Sequence, residues 1–263
     1  MIVNFFQNLD ARRLEYLLIS GQATVLYGAA TFSEDIDLWV NPTDENCRRL
    51  LSALRDSHAR YYKLTPAPTV EHFQRGHGFH FILPADDEPD VFLDILGAPP
   101  RVGSFASALA TARSMDTEWG RLPTIGLREL VELKKTQRLE DYPIISKLAL
   151  AWFEQPECER TPADLRWAIE NIFALPELRM FLEEHPAVLE DLPPNSAPGF
   201  KEFAEQIAVG KDESEASAAR VNTDMQRRMA DLQQADHRYW RDIVAELKRL
   251  RAAGQLMPEG DKV

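Results

Sequence analysis

The hydrophobic pattern of the chain changes near residue 155, and this change limits the folds that the sequence can adopt. Before that point, short apolar runs typical of strands alternate with segments of helical spacing. After it, almost every segment has helical spacing. We therefore predict an α+β fold, with a small mixed sheet and packed helices over 1–155 and an all-helical region over 156–263, a division that suits a length of 263 residues.

Local pattern and helix-breaking or turn-forming residues set the predicted elements. A short helix is expected to begin at Ser20-Gly21, and Thr43 or Asp44 is expected to cap the helix after the first strand. The stretch 85–90 predicts a polar turn, and the proline-rich stretch 191–199 predicts a joint. The remaining predictions are strands over 36–40, 78–84 and 91–96, a hairpin near 119–121, and helices over 8–19, 43–56, 103–113, 127–139, 141–153, 162–174, 176–184, 200–209 and within 213–253.

Composition disfavours several classes of function. The formal charge of −12 argues against non-specific binding of nucleic acid, because phosphate contacts need Lys and Arg. The apolar runs are shorter than the roughly 20 residues of a membrane span, and the first residues lack the pattern of a signal peptide. The two cysteines, Cys47 and Cys158, are far apart, as is typical of free thiols in a reducing compartment. We therefore predict a cytoplasmic protein without a membrane partner.

Three aspartates stand out as candidate metal ligands. In a strand, residues i and i+2 lie on one face, so Asp35 and Asp37 are predicted side by side while Ile36 enters the core. Asp94 interrupts the apolar strand VFLDIL, where an acidic residue needs a partner. If the two strands are neighbours, the three carboxylates converge. Hard oxygen ligands of this kind bind Mg²⁺ and leave positions for water and phosphates.

A candidate phosphate site lies some fifteen residues upstream of these aspartates. Ser20-Gly21 is predicted to open a helix, and N–H groups at a helix start, next to a small residue, can bind phosphate. Each of these signals is weak by itself, since D-x-D pairs and Ser-Gly turns are common on protein surfaces. Their order along the chain is more informative.

The ordered set S-G-Q-A-x-x-x-Y-G-x-x-T-x-S-x-D-I-D resembles the signature of DNA polymerase β-like nucleotidyltransferases, and most of all the bacterial AbiEii/MenT-type toxin branch. Ser20-Gly21 matches the Gly-Gly or Gly-Ser pair of that branch, and Asp35 and Asp37 match its Asp-x-Asp. The resemblance covers roughly residues 10–153. It continues in Lys134, Arg138 and Asp141, which keep a spacing often found in the family. Tyr27-Gly28 stands at the His-Gly step of the branch, and the departures are Ser20 in place of Gly and Thr31 in place of Arg.

This resemblance implies a nucleotidyltransferase catalytic domain over 1–155 that transfers a nucleoside monophosphate from a nucleoside triphosphate to an acceptor hydroxyl. Asp35, Asp37 and Asp94 would bind Mg²⁺ or Mn²⁺, and Asp94 would also help to activate the acceptor. The phosphates would be held by Ser20, Gly21, Ser33 and Lys134. The acceptor would be an RNA such as the 3′ end of tRNA, a protein or a small molecule. The toxin branch also implies a toxin–antitoxin or phage-defence system, with a cognate antitoxin as partner.

Several alternatives remain open at the level of sequence. A catalytically degenerate nucleotide-binding or partner-binding module would also explain the departures at Ser20 and Thr31. Lys134 could be an exposed helix lysine, and Arg138 with Asp141 a structural pair. The long helix within 213–253 could pack on the body or bind a partner.

The histidines and aromatic residues allow more than one interpretation. His72, His77 and His80 match no firm zinc spacing, although His80 could face the same groove as the aspartates. The aromatic residues Trp39, Tyr61 and Tyr62 could stack on a base, but packing in the core is the commoner role.

Overall fold

The computed structural model of the chain describes residues 2–84, 89–186, 198–210 and 214–263. Within these ranges it is an α+β protein with a seven-stranded mixed sheet and eleven helices, the last of them long. The predicted turn over 85–90 falls largely outside the described residues, and so does most of the predicted joint over 191–199. None of the helices in the described ranges is both long enough and apolar enough to cross a lipid bilayer.

The strands are β1 (Tyr16–Ile19), β2 (Ile36–Val40), β3 (Arg60–Tyr61), β4 (Gly78–Leu83), β5 (Val91–Leu96), β6 (Arg113–Thr117) and β7 (Gly120–Thr124). The helices are α1 (Ile2–Ala11), α2 (Ser20–Leu26), α3 (Asp44–Asp56), α4 (Val70–Gln74), α5 (Phe105–Thr111), α6 (Leu127–Lys134), α7 (Asp141–Phe153), α8 (Pro162–Glu170), α9 (Leu175–Glu184), α10 (Pro198–Ala208) and α11 (Glu215–Ala252). The predicted strands β2, β4 and β5, the β6–β7 hairpin and the start of α2 are confirmed. Thr43 caps α3 by accepting a hydrogen bond from the N–H of Asn46.

The sheet has the strand order β3-β4-β5-β2-β1-β7-β6. β2 runs parallel to β5, and β1 runs parallel to β7. The pairs β1–β2, β3–β4, β4–β5 and β6–β7 are antiparallel. The two strands that carry the predicted carboxylates, β2 and β5, are therefore direct neighbours in the middle of the sheet.

One face of the sheet is buried under helices α1 and α3. Alternate residues of the central strands point into this core and exclude water, among them Ile36, Leu38, Leu93 and Ile95. Phe5, Phe6 and Leu9 of α1, with Leu50 and Leu54 of α3, pack against them. The residues between these core positions face the opposite side of the sheet, so the alternation in the sequence sorts apolar and acidic side chains onto different faces.

The helix predicted over 8–19 is wrong in its second half. Helix α1 ends at Ala11, Arg13 adopts a positive φ of 54°, and Tyr16–Ile19 form strand β1. All four residues of β1 are buried, so the strand lacks the alternation that marks a half-exposed strand. The helical spacing of Leu14, Leu17 and Leu18 is therefore coincidental, since none of them lies in a helix.

The chain divides into two compact units, at positions that differ from the predicted boundary after residue 155. The first unit comprises Met1–Leu133 and Arg238–Val263, and the second comprises Lys134–His237. The difference arises because helix α11 contributes to both units and its C-terminal part belongs with the sheet. The local sequence pattern is helical on both sides of residue 238 and contains no signal for this change of unit.

The second unit is helical and has its own apolar core. Phe153 of α7, Leu165 and Ala168 of α8, and Leu178, Phe181 and Leu182 of α9 form one buried cluster. Phe203, Ala204 and Ile207 of α10, Val221 and Met225 of α11, and the loop residues Cys158 and Ile172 belong to the same cluster. Thr161 caps α8 through a reciprocal capping box with Asp164, which fixes the start of that helix.

Candidate functional site

Asp37 and Asp94 are register partners on the neighbouring parallel strands β2 and β5. Neighbouring strands lie about 4.8 Å apart, and residues at the same level of the sheet point to the same face. The two carboxylates therefore share the face opposite the apolar core, as the sequence predicted for adjacent strands. This placement concentrates negative charge at the centre of the sheet.

Asp35 lies one residue before strand β2 begins, so the strand pleat does not fix its direction as predicted. Asp35 is nevertheless close enough to Asp94 for the charge of that carboxylate to affect its pKa. The pKa of Asp35 is raised by burial and then by the negative charge of Asp94, while the positive charge of Lys63 opposes the rise. A carboxylate whose ionised form is disfavoured by a second carboxylate is one that a cation would stabilise.

The carboxylate oxygens of the candidate site are the type of ligand that Mg²⁺ prefers. Among the described residues, no three His, Cys, Asp or Glu side chains form a ready-made metal cluster. Mg²⁺ is usually held by one or two carboxylates, with waters and substrate phosphates as the other ligands. Asp37 and Asp94 could serve as two such carboxylates, and the pKa of Asp35 is raised first by burial and then by the negative charge of Asp94.

His80 lies beside Asp94 on strand β4. The two residues are register partners in the antiparallel β4–β5 pair, and His80 Nδ1 lies 2.8 Å from Asp94 Oδ1. An ionised carboxylate can only accept a hydrogen bond, so Nδ1 is the nitrogen that donates. His80 thus faces the same groove as the aspartates, the placement that the sequence left open.

A cavity of about 260 Å³ lies over these residues within the first unit. Asp37, His80 and Asp94 contribute its polar side, and the C-terminal part of α11 contributes an apolar wall. This wall consists of Trp240, Ile243, Val244 and Leu247. Sequence reasoning assigned α11 to a separate helical region and therefore missed its part in the site. Its apolar spacing was visible, but the spacing does not identify the surface that the helix covers.

Gly21 and Ser33 pack against each other next to the aspartates. A Cβ atom at Gly21 would lie 2.1 Å from Ser33 Oγ, which is far inside van der Waals contact. Gln22 Nε2 donates a hydrogen bond of 2.8 Å to the carbonyl of Ser33. Ser33 Oγ in turn lies 3.3 Å from the carbonyl oxygen of Asp35 and donates to it. These contacts tie α2 to the loop that leads into Asp35.

Ser20 has a φ of 56°, in the left-handed region that glycine adopts without strain. A glycine would adopt this backbone without strain, whereas serine, which has a Cβ atom, adopts it at a cost. The free energy involved is about 1–2 kcal/mol for a residue with a Cβ. Ser20 and Gly21 thus lie where strand β1 passes directly into helix α2, whose start at this position was predicted.

Lys134 does not behave as an exposed helix lysine. It is buried, belongs to the second unit, and its Nζ lies 3.3 Å from Oδ1 of the buried Asp141. Arg138 Nε and Thr136 Oγ1 donate to the other oxygen of Asp141 at 3.0 and 2.6 Å. The structural pairing expected of Arg138 and Asp141 is confirmed, and Lys134 takes part in it. This network gives Lys134 a structural role that does not require a phosphate.

Lys63 is a basic residue that sequence reasoning did not single out. It is exposed in the loop after β3, has a φ of 54°, and its ammonium lies 5.0 Å from the centre of the Tyr62 ring. Its charge lowers the pKa of Asp35, which opposes the overall rise. No local motif marks Lys63, since its nearness to Asp35 arises from the pairing of β3 with β4.

The other aromatic and histidine candidates have structural roles. Trp39 is buried and donates from Nε1 to the carbonyl of Gly97 at 2.9 Å. Tyr61 is also buried, as expected of a core aromatic residue. His72 Nδ1 contacts the carbonyl of Ala67, and His77 Nε2 contacts Glu246 at 2.8 Å.

The chain matches no model of a known protein family, and no curated protein is significantly similar to it in sequence.

Proposed function

We propose that the chain is a metal-dependent nucleotidyltransferase, with a nucleotidyltransferase fold of the DNA polymerase β-like type in its first unit. The single observation that carries the proposal is the register of β2 with β5, which pairs Asp37 with Asp94 on one face. The raised pKa of Asp35, in part due to Asp94, adds a third carboxylate to the same neighbourhood. Such crowding of acids is tolerated in proteins mainly where a cation neutralises it.

In this proposal Asp35, Asp37 and Asp94 hold Mg²⁺ or Mn²⁺, and a nucleoside triphosphate is the substrate. The bound cations would neutralise charge on the triphosphate while an acceptor hydroxyl attacks the α-phosphorus and pyrophosphate leaves. Asp94 orients the acceptor hydroxyl, and its carboxylate accepts the proton that the hydroxyl loses. The apolar wall of α11 would exclude water from this reaction, since it covers the same cavity.

The phosphates in this proposal lie along the junction of α2 with the loop before Asp35. The missing Cβ of Gly21 leaves room for the hydroxyl of Ser33 beside the start of α2, and Ser20 is the first residue of that helix. Lys63, whose charge acts on Asp35, supplies the cation that the resemblance assigned to Lys134. This assignment follows because Lys134 is already paired with the buried Asp141.

Label transfer from each of four α-labelled nucleoside triphosphates, with Mg²⁺, to total RNA, total protein or a metabolite extract tests this proposal. We expect one pool to take the label, and we expect Asp35→Asn with Asp37→Asn to reduce transfer by at least roughly 1,000-fold, because the cation is lost from the reacting phosphates. The matched control is Asp116→Asn with Glu118→Gln, two acidic residues of the β6–β7 hairpin. Transfer that persists in the double aspartate variant would rule out the proposed chemistry.

A second candidate is a catalytically degenerate module that binds nucleotide or a partner. It is favoured by the strained φ of Ser20 and by a cavity of about 260 Å³, slightly below the range of roughly 300–1,000 Å³ typical of ligand pockets. Calorimetry separates the two candidates. Binding of nucleotide without label transfer to RNA, protein or metabolites supports the module.

The acceptor and the cognate partner are also part of the proposal. RNA such as the 3′ end of tRNA, a protein hydroxyl and a small molecule are the acceptor classes that the label experiment distinguishes. An antitoxin encoded next to the chain would be its partner in a toxin–antitoxin or phage-defence system. Pull-down after co-expression with the neighbouring reading frame tests that partnership.

A further inference from the structure

His80 donates a hydrogen bond to Asp94, and its place in the sheet makes that bond specific. His80 and Asp94 face each other across β4 and β5, with Nδ1 and Oδ1 2.8 Å apart. Both side chains are only 26% exposed, so water competes weakly for the bond. A lone histidine in the otherwise apolar strand GFHFIL therefore has its side chain directed at a carboxylate of the proposed cation site.

The backbone of His80 is itself fixed from the other side. Its N–H donates to Oγ1 of the fully buried Thr65 at 3.1 Å, and its carbonyl accepts from the N–H of Tyr62 at 2.9 Å. Thr65 Oγ1 also donates to the carbonyl of Tyr62 at 2.8 Å. Hydrogen bonds from the loop Tyr62–Thr65 thus fix the backbone of strand β4 at His80, whose imidazole contacts Asp94.

We propose that His80 is a positioning residue, which binds Oδ1 of Asp94 and so turns Oδ2 of that carboxylate toward the divalent cation. The inference rests on the proposed function, since it concerns how the same site binds its cation. Carboxylate ligands of metals are commonly held by such hydrogen bonds, and losing one typically weakens metal binding about 10–100-fold. His80 contacts neither substrate nor cation in this role.

Binding of Mn²⁺ alone to the full chain, followed by electron paramagnetic resonance of the free ion, tests the inference without any catalytic readout. We expect His80→Ala and His80→Leu to weaken Mn²⁺ binding at least about 10-fold. His80→Asn should keep the affinity within about 3-fold, because the asparagine amide nitrogen can donate from nearly the position of Nδ1. His237→Ala, at an exposed position of α11, is the matched control and should bind Mn²⁺ as the unchanged chain does.

His80→Leu fills the volume of the ring without a donor, so it reports on the hydrogen bond even if His80→Ala fails to fold. Unchanged Mn²⁺ affinity in His80→Leu would overturn the inference, and so would an equal loss in His80→Asn and His80→Leu. Asp94→Asn separates this failure from that of the proposed function. If Asp94→Asn weakens Mn²⁺ binding and His80→Leu does not, only the positioning role of His80 is contradicted. If neither Asp94→Asn nor Asp37→Asn changes the affinity, the cation site itself falls as well.

Discussion

At Gly21 the absence of a side chain sets the geometry of the loop before Asp35. A Cβ atom there would lie 2.1 Å from Ser33 Oγ and 2.9 Å from Ser33 Cβ, so both side-chain atoms of Ser33 would have to move. Gln22 holds the carbonyl of Ser33 in place and limits that movement. The small residue is therefore required by packing within the protein, whether or not a phosphate also approaches it.

Gly21→Ala should destabilise the chain by about 1–3 kcal/mol, because the added methyl group overpacks the contact with Ser33. Ser33→Gly removes the clashing atoms, so the double variant Gly21→Ala, Ser33→Gly should recover at least about 1 kcal/mol of the loss through the coupling of the two sites. Urea unfolding of the two single variants and the double variant measures this coupling. Strict additivity of the two single changes would show that the contact is not the cause.

Among the elements, the C-terminal part of α11 is held on the sheet unit by polar contacts that include those of Tyr239 and Glu246. Tyr239 donates from its hydroxyl to the carbonyl of Ala98 at 2.9 Å. Glu246 accepts from Arg75 at 2.7 Å and pairs with His77 Nε2 at 2.8 Å. Because His77 is completely buried, its charge state affects how firmly this part of the helix is bound.

Acidification should weaken this attachment through His77. Burial lowers the pKa of His77 below its ordinary value of 6.5, and the hydrogen bond to Glu246 only partly offsets this. The unfolded chain therefore binds the proton more readily, and the stability that neutral His77 contributes is lost as pH falls below 6.5 toward the folded-state pKa. The melting temperature of the unchanged chain should fall more steeply from about pH 7.5 to about pH 5.5 than that of His77→Gln, whose amide keeps a donor but does not titrate.

The titration of Glu246 does not contribute to the change in melting temperature between about pH 7.5 and about pH 5.5. Burial raises the pKa of Glu246, but the hydrogen bond to His77 and the charges of His77 and Arg75 lower it overall from 4.5. Its contribution to stability is thus fully present above pH 4.5 and is lost only at more acidic pH. Parallel pH profiles for the two chains would contradict the role assigned to His77.

For the whole molecule, the two compact units are not two continuous halves of the sequence. The first unit needs residues 238–263, which supply the cavity wall and further backbone pairing at the edge of the sheet. There the N–H of Tyr61 donates to the carbonyl of Asp261, and the N–H of Met257 donates to that of Thr65. Met257 and Val263 also pack against the apolar core of the sheet.

A fragment of residues 1–155 should therefore be less stable than the sheet unit in the full chain, because it lacks these contacts and exposes apolar surface. A fragment of residues 134–237 keeps the apolar cluster of the second unit and should melt cooperatively as a helical protein. Circular dichroism melting of both fragments beside the full chain checks these expectations. A 1–155 fragment that melts as the full chain does would show that residues 238–263 add little to the first unit.

The sequence by itself determined most of the local elements and the face of the sheet on which two candidate aspartates lie. Alternation in IDLWV and VFLDIL predicts that Asp37 and Asp94 face away from the apolar core, because the strand period of two is a local property. The capping of α3 and the start of α2 at Ser20 were predictable for the same reason. Strand β1 was missed because burial on both faces removes the alternation.

Only the tertiary structure decided which of these elements meet. The strand order β4-β5-β2 brings His80, Asp94 and Asp37 together. The ion pair of Lys134 with the buried Asp141 forms only in the folded helical unit. Helix α11 packs on the sheet some 200 residues after β2 in the sequence. Strand neighbours and helix packing are chosen by the burial of apolar surface between residues far apart in the chain. No local pattern specifies the partner in such a contact, because many pairings would bury similar surfaces and only the complete fold selects one.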